Sequence, residues 1–204
     1  MEQIFGPDWE LPFRNCPSRL RFELGGEELP CVEAPVPRFV QALLRARTIF
    51  NSVFAGSTSL FAIVCFHKDT ALDFFAPVEN GFVALSRIGF TAEFLTEWNA
   101  RLEPRDEEQD PQDFLWRAFD VAANDASCDA LLWSSISYEM SIEPKVPAIV
   151  YFIDFENEIL LHVYDDRGMD VSALSQSTLQ QCYTEFDPWL LDYDRPRMAT
   201  AFAG

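Results

Sequence analysis

The chain has 204 residues, of which 49% are hydrophobic, and this is enough material for the core of one domain. Its formal net charge of −18 comes from 33 acidic against 15 basic residues, which excludes a surface built to bind the nucleic-acid phosphate backbone. No apolar run approaches the ~20 residues of a membrane helix and no secretory signal pattern is present, so we predict one cytoplasmic domain over residues 1–204 without direct nucleic-acid or membrane contact.

The first predicted elements differ in hydrophobic period. Arg19–Leu24 alternates charged and apolar side chains, which predicts a half-buried strand. Apolar residues recur at three- and four-residue steps over 37–54, which predicts a helix that stops near Gly56. Ser59–Phe66 is a continuous apolar run, typical of a central strand. Residues 67–102 fit helix and strand equally, and their structure stays open.

An acidic stretch precedes the next elements. Residues 103–111 contain no apolar side chain and predict a solvated loop. Pro111–Asn124 carries apolar residues at helical steps, with Asp110 suited to cap its start, and predicts a helix. Leu131–Ile142 alternates imperfectly and predicts a strand.

The strongest β pattern comes after these elements. Residues 148–155 and 159–164 are β-branched and aromatic runs separated by a short polar loop, in which Asn157 suits the left-handed conformation. They predict a hairpin, followed by a helix over 172–186. Because helices and strands do not alternate regularly, we predict an α+β fold, with an antiparallel or mixed β-sheet and helices packed mainly on one face.

Two segments within the region of about 148–197 combine acidic residues with an arginine and an aromatic residue. The cluster comprises Asp165, Asp166, Arg167, Gly168, Asp170, Trp189, Asp192, Asp194 and Arg195. One interpretation is structural: the aspartates cap turns and pair with arginines, Gly168 supplies a positive φ, and Arg195 and Arg197 reach back to join the two segments. The other is a ligand site in which Asp166 and Asp170 approach each other across the turn at Gly168.

Sequence patterns typical of metal and cofactor sites are absent. The five cysteines and two histidines lack zinc-ligand spacing, and no EF-hand loop occurs. No phosphate-binding, dinucleotide-binding or nucleophile-elbow motif occurs either. We expect no cofactor, no metal and no catalytic residue. We expect the cysteines to be reduced and buried as small hydrophobic side chains.

Four segments carry a resemblance to a known family: Tyr164–Asp170 and Trp189–Arg195, and more loosely Arg19–Glu23 and Arg45–Phe50. They resemble a bacterial domain family of unknown function that has a DDRG motif. The resemblance covers most of the chain except its acidic middle. It implies no catalytic residue, because the family has no established activity. The small single-domain character is similar to that of immunity proteins, which neutralise toxins of interbacterial competition.

The charge distribution leads to the main functional hypothesis. Residues 103–166 hold 16 of the acidic residues and only three basic ones, and such a surface attracts basic partners. We predict an immunity-type inhibitor that occludes a basic site on a cognate toxin. The predicted contact residues are Asp106, Glu107, Glu108, Asp110 and Asp113, with Trp116 as an anchor if it lies at the surface.

Two alternatives remain open. A small hydrolase-like enzyme would use Asp165, Asp166, Asp170, Asp192 and Asp194, and it would need a pocket that raises the pKa of these carboxyls. Arginines already bound to those carboxylates would count against it. A regulatory interaction module that binds no toxin would present the same acidic surface.

Overall fold

The computed structural model describes residues 5–10, 13, 16, 18–26, 28–67, 78–102, 112–122, 124–140, 142–146 and 148–202. Its elements are β1 Arg19–Glu23, α1 Pro35–Val53, β2 Phe61–His67, α2 Val78–Arg87, β3 Glu93–Leu102, β4 Gln112–Asp120, α3 Asp125–Ser137, β5 Ile149–Asp154, β6 Ile159–Val163, β7 Gly168–Ala173, α4 Gln176–Glu185 and α5 Arg195–Phe202. None of the helices in these ranges has the length and apolar composition that crossing a bilayer requires.

The strands form one antiparallel sheet in the order β1-β7-β6-β5-β2-β4-β3. The described helices pack against one face, where Phe22 and Phe152 are fully buried among side chains from α1, α3 and α4. The N-terminal segment, of which the structure describes residues 5–10 and 13, lies on the other face, where Trp9 and Phe13 are buried beside β2 and β4. The structure therefore confirms the predicted α+β fold with helices mainly on one face.

The sheet is built around the predicted hairpin. β5 and β6 pair in register, and the buried Asp154 accepts hydrogen bonds from the backbone N–H groups of Glu156 and Asn157 at 2.9 Å each. Burial opposes ionisation of Asp154, but these bonds and the one from Ser57 outweigh it and lower the pKa of the carboxyl. The positive φ of 55° belongs to Glu158, so the expectation for Asn157 was wrong by one residue.

Two predicted elements were wrong in type. Residues 112–120 form strand β4 instead of a helix, because both faces of this strand are covered: Trp116 faces the N-terminal segment and Phe119 faces the helices. A strand with apolar residues on both faces gives a sequence pattern that resembles the apolar stripe of a helix. The proposed cap Asp110 lies outside the described residues.

The predicted strand Leu131–Ile142 contributes instead to helix α3, which begins at Asp125. Its cap is Asn124, whose side chain accepts a hydrogen bond from the Ser127 N–H at 3.0 Å. Leu131, Leu132 and Ile136 are all fully buried, and residues 130–137 include no exposed polar side chain that would reveal the helical period.

The remaining differences concern boundaries and two elements that were not predicted, strand β7 and helix α5. Residues 168–173 form strand β7, so the last predicted helix starts at Gln176 rather than near Ser172. In the ambiguous region, residues 78–87 are helical and residues 93–102 form a strand. Helix α1 and strands β1 and β2 agree with their predictions to within two residues.

Candidate functional site

The turn between β6 and β7 holds its first aspartate with the neighbouring arginine. The buried Asp165 carboxylate accepts hydrogen bonds from the Arg167 backbone N–H at 2.7 Å and from Arg167 Nε at 2.8 Å. Arg167 Nη2 contacts the same carboxylate and lies 3.5 Å from Glu139 Oε2. The hydrogen bonds and charge of Asp165 raise the pKa of Arg167 further above its ordinary value. Asp165 is therefore fixed by Arg167, whose guanidinium binds one carboxylate oxygen while its backbone N–H binds the other.

The second aspartate of the turn is bound by helix α1. Asp166 pairs with Arg38 Nε, and the two side chains are only 6% and 11% exposed. Arg38 Nη1 also donates to the carbonyl oxygens of Gly26 at 2.6 Å and Leu29 at 2.8 Å. The Arg38 guanidinium packs so closely on Gly25 that a side chain there would collide with it. Arg38 thus connects α1, the loop after β1 and the β6–β7 turn.

Arg21 on β1 joins the two acidic segments. Arg21 Nε lies 3.0 Å from Asp170 Oδ1, and Arg21 Nη1 lies 3.8 Å from Asp194 Oδ2. Arg197 Nη2 lies 2.8 Å from the same Asp194 oxygen. The hydrogen bond from Arg197, opposed by desolvation and aided by the nearby arginines, lowers the pKa of Asp194. Arg195 turns instead to Asp192 at 2.6 Å and Asp187 at 2.9 Å. The segments form one network as expected, but the expected connection through Arg195 and Arg197 was wrong.

Gly168 is required for a reason other than the predicted one. It opens β7 and does not have the positive φ found at Gly26, Gly56 and Gly89. A Cβ at Gly168 would lie 2.6 Å from the Phe22 carbonyl oxygen of the adjacent strand and against the Tyr164 hydroxyl. The glycine therefore permits close contact between β7 and its neighbours.

Trp189 stabilises the same region by stacking. Its ring lies parallel to that of Phe186 with centroids 5.2 Å apart, and the Arg45 guanidinium carbon lies 5.6 Å from the Trp189 centroid. Arg45 in turn donates to the Glu23 and Leu24 carbonyl oxygens at 3.2 Å each. Trp189 is thus placed by packing and a cation–π contact.

The cluster has the properties of a structural network. Each of Asp165, Asp166, Asp170, Asp192 and Asp194 contacts an arginine. Asp166 pairs with Arg38 and Asp170 pairs with Arg21, so both carboxylates already have a cationic partner. The pKa of Asp194 is lowered, whereas a proton-donating carboxyl needs a raised one. Among the described residues, no group of His, Cys, Asp and Glu has the arrangement of a metal site.

A polar row crosses the face of the sheet opposite the helices. Tyr151, His162, Asp170 and Arg21 are successive cross-strand partners on β5, β6, β7 and β1. Three of them, Tyr151, His162 and Asp170, line a cavity of about 150 Å³ beneath the N-terminal segment. The sequence alone does not connect His162 with Tyr151 and Asp170, because these residues become neighbours only through the order of the strands in the sheet.

His162 is held as a neutral imidazole. Its ring stacks on Tyr151 with centroids 4.1 Å apart, and Nδ1 lies 2.8 Å from the Val150 carbonyl oxygen, to which it must donate. Burial lowers the pKa of His162, although that hydrogen bond and the charges of Asp170 and Asp165 oppose the effect.

The pKa of His162 has a consequence for stability. Below about pH 6.5 the unfolded chain gains a proton at this residue before the folded chain does, so the free energy of unfolding falls as the pH falls towards the folded-state pKa. We expect wild type to lose stability between pH 7.5 and pH 5 in urea unfolding, and His162→Gln to lose less. Equal losses for the two proteins would contradict this assignment.

The predicted partner-binding residues are only partly placed. Asp106, Glu107, Glu108 and Asp110 lie outside the described residues, and the backbone of Asp113 pairs with Arg101 in the β3–β4 hairpin. Trp116 is 7% exposed and stacks on Trp98 with centroids 6.3 Å apart. The condition that Trp116 lies at the surface is not met, because the N-terminal segment and β3 cover it.

The described surface has a different apolar feature, on helix α1. Val36, Val40 and Leu44 are 58%, 47% and 63% exposed. Leu44 borders a groove of about 640 Å³ between α1 and α3. Its apolar lining includes Leu43, Ile88, Ala126, Ala130, Trp133 and Pro144. Sequence periodicity did not reveal this groove, because it locates an apolar stripe without showing how much of it the neighbours cover.

The cysteines show no sign of activation. Cys65, Cys128 and Cys182 are buried, and burial raises the pKa of Cys128 and Cys182 to about 12 each. Cys16 is half-buried and Cys31 is exposed, so the expectation of burial holds for three of the five. A buried thiol with a raised pKa is a poor nucleophile at neutral pH.

Comparison with known proteins identifies a family without assigning an activity. A family model described as a domain of unknown function (DUF3885) matches residues 1–194, and the chain belongs to this family. No curated protein and no solved structure matches the chain.

Proposed function

We propose that this DUF3885 member is an immunity-type binding protein, which neutralises a cognate bacterial toxin in the cytoplasm by occluding a basic site. The observation that carries the proposal is the state of the acidic motifs. Their five aspartates are bound by arginines of the same chain, so the motifs serve the fold and leave the rest of the acidic surface for a partner. An inhibitor needs a stable surface and no reacting group.

The charge supports a basic partner. Ion pairing within the motifs uses arginines from several elements, while the chain as a whole keeps its formal net charge of −18. Exposed acids such as Asp120, Asp125 and Glu156 lie on different elements, so negative charge is present on several parts of the described surface. Long-range attraction of this kind raises the association rate of a basic protein and weakens as salt is added.

The hydrolase-like alternative has less support. It calls for carboxyls with raised pKa in a deep pocket, but the pKa of Asp194 is lowered and Gly168 is covered by Tyr164 and Phe22. The cavity beneath the N-terminal segment is lined by one motif aspartate, Asp170, and that residue is already paired with Arg21.

Co-expression tests the proposal in cells. The chain is produced together with the product of the adjacent reading frame, whose expression alone arrests growth, and the expected result is restored growth and co-purification of the two proteins. Asp166→Asn serves as a control, because it disturbs a buried motif residue without changing the surface. It shows how much protection is lost when folding alone is impaired. Growth arrest despite soluble, folded chain would contradict the proposal.

A further inference from the structure

Helix α1 presents a ridge suited to packing by another helix. Val36, Val40 and Leu44 recur at every fourth residue and stand in solvent along one edge of α1. Rows of side chains at four-residue spacing are the ridges that enter the grooves of a neighbouring helix. Nothing among the described residues covers this ridge, since each of the three side chains is well exposed.

The groove beside the ridge provides the second wall. Arg47 of α1 pairs with Asp125 and Asp129 at the start of α3, while Phe39 of α1 contacts Trp133 near its end with ring centroids 4.6 Å apart. The two helices are therefore antiparallel, and the groove lies between residues 43–47 of α1 and residues 126–133 of α3. Its volume of about 640 Å³ lies in the range of pockets that bind ligands or side chains of a partner.

Acidic side chains stand at both ends of this groove. Asp125 and Asp129 lie at one end, and their side chains remain mostly exposed although both contact Arg47. Glu143 follows α3 and is exposed; the next residue, Pro144, lines the other end of the groove, and its carbonyl oxygen accepts a hydrogen bond from Trp133 Nε1 at 3.1 Å. An apolar floor with acidic ends is complementary to an apolar helix that carries Lys or Arg at its flanks.

We propose that the groove between α1 and α3 binds one amphipathic helix of the basic partner, with apolar residues against Val40 and Leu44 and with lysine or arginine near Asp129 and Glu143. This inference rests on the proposed function. Helix-in-groove docking supplies affinity through apolar anchors at three- and four-residue spacing and specificity through the flanking charges. A second copy of the chain fits poorly, because its formal net charge is also −18.

The test uses a peptide probe and the full chain. The peptide has about 16 residues, leucines at three- and four-residue spacing and lysines along both flanks, with a control peptide in which glutamates replace the lysines. We expect the lysine peptide to bind to the wild-type chain. We expect Leu44→Asp to weaken both this binding and that of the partner by about 10- to 100-fold.

A matched variant separates a local effect from a general one. Leu174→Asp changes another exposed leucine, outside the groove, and is expected to leave both dissociation constants unchanged. Circular dichroism and thermal unfolding of both variants verify that the fold is intact, and Leu44→Asp is expected to fold because Leu44 is exposed.

Each outcome has a separate meaning. If the partner binds and Leu44→Asp has no effect on it, the groove inference is wrong while the proposed function stands. If the lysine peptide binds in a Leu44-dependent manner but no toxin partner forms a complex, the groove stands and the proposed function fails. Equal binding of the glutamate peptide, or self-association that Leu44→Asp abolishes, overturns the inference in favour of a plain apolar contact or a second copy.

Discussion

Arg38→Ala is expected to lower the free energy of unfolding by about 3–5 kcal/mol, the cost of removing one partner from a buried ion pair. The substitution leaves the Asp166 carboxylate buried beside α1 without its guanidinium. It also removes the donor to the Gly26 and Leu29 carbonyl oxygens. Urea unfolding at pH 7, monitored by tryptophan fluorescence, measures the loss.

Two further variants test the reason for this loss. Arg87→Ala removes an exposed arginine from the last turn of α2, and a surface substitution of this kind is expected to change stability by no more than about 0.5 kcal/mol. Asp166→Asn removes the charge from the other side of the pair and is expected to be destabilising as well. An Arg38→Ala variant as stable as wild type would show that the α1–turn connection does not hold the fold.

Arg21→Ala is expected to lower the free energy of unfolding by about 2–3 kcal/mol. This loss is smaller than that for Arg38→Ala, because Arg21 is more exposed than Arg38 and its ion pairs are better screened by solvent. The change leaves Asp170 without its 3.0 Å contact and separates the two acidic segments. Asp194 retains Arg197, which limits the loss. Urea unfolding compares the variant with wild type at pH 7.

The cost of Arg21→Ala also has an expected pH dependence. The pKa of Asp194 is lowered in the folded chain, so its stabilising contribution is present above its ordinary value of 3.8 and is lost as the pH falls through the folded-state pKa. Arg197, which the variant keeps, is the main cause of this lowered pKa, and Arg21 adds to it; the part of the stability difference that comes from the Arg21–Asp194 pair should therefore shrink in acid. The control is Arg195→Ala, because wild-type Arg195 contacts the exposed Asp187 and Asp192. This variant should lower the free energy of unfolding by at most about 1 kcal/mol. An equal loss of stability in Arg21→Ala and Arg195→Ala would refute the claim that Arg21 holds the two acidic segments together.

Local patterns predicted those parts of the fold that local forces determine. The β5–β6 hairpin and helix α1 are confirmed because their hydrophobic periods match the surfaces they bury. Strand β4 and helix α3 were mistaken for each other's type because β4 is covered on both faces and the second half of α3, from Ala130 to Ser137, is buried except at Trp133. In both elements tertiary burial removes the alternation of polar and apolar residues that sequence reasoning depends on.

The candidate site follows the same division. The motif aspartates and their tendency to pair with arginines were visible in the sequence, since residue types alone indicate ion pairs. The actual partners were not, because Arg21 and Arg38 lie more than a hundred residues away and approach only through strand order and helix packing. The α1–α3 groove was likewise hidden, because exposure of Val40 and Leu44 depends on where neighbouring helices end.

The dissociation constant between the purified chain and its toxin partner, measured calorimetrically at low and high salt, tests the central claim most directly. An acidic inhibitor of a basic site predicts a one-to-one complex whose dissociation constant rises at least about 10-fold between about 50 and about 500 mM salt. The absence of any complex at low salt, or an affinity indifferent to salt, would contradict the account.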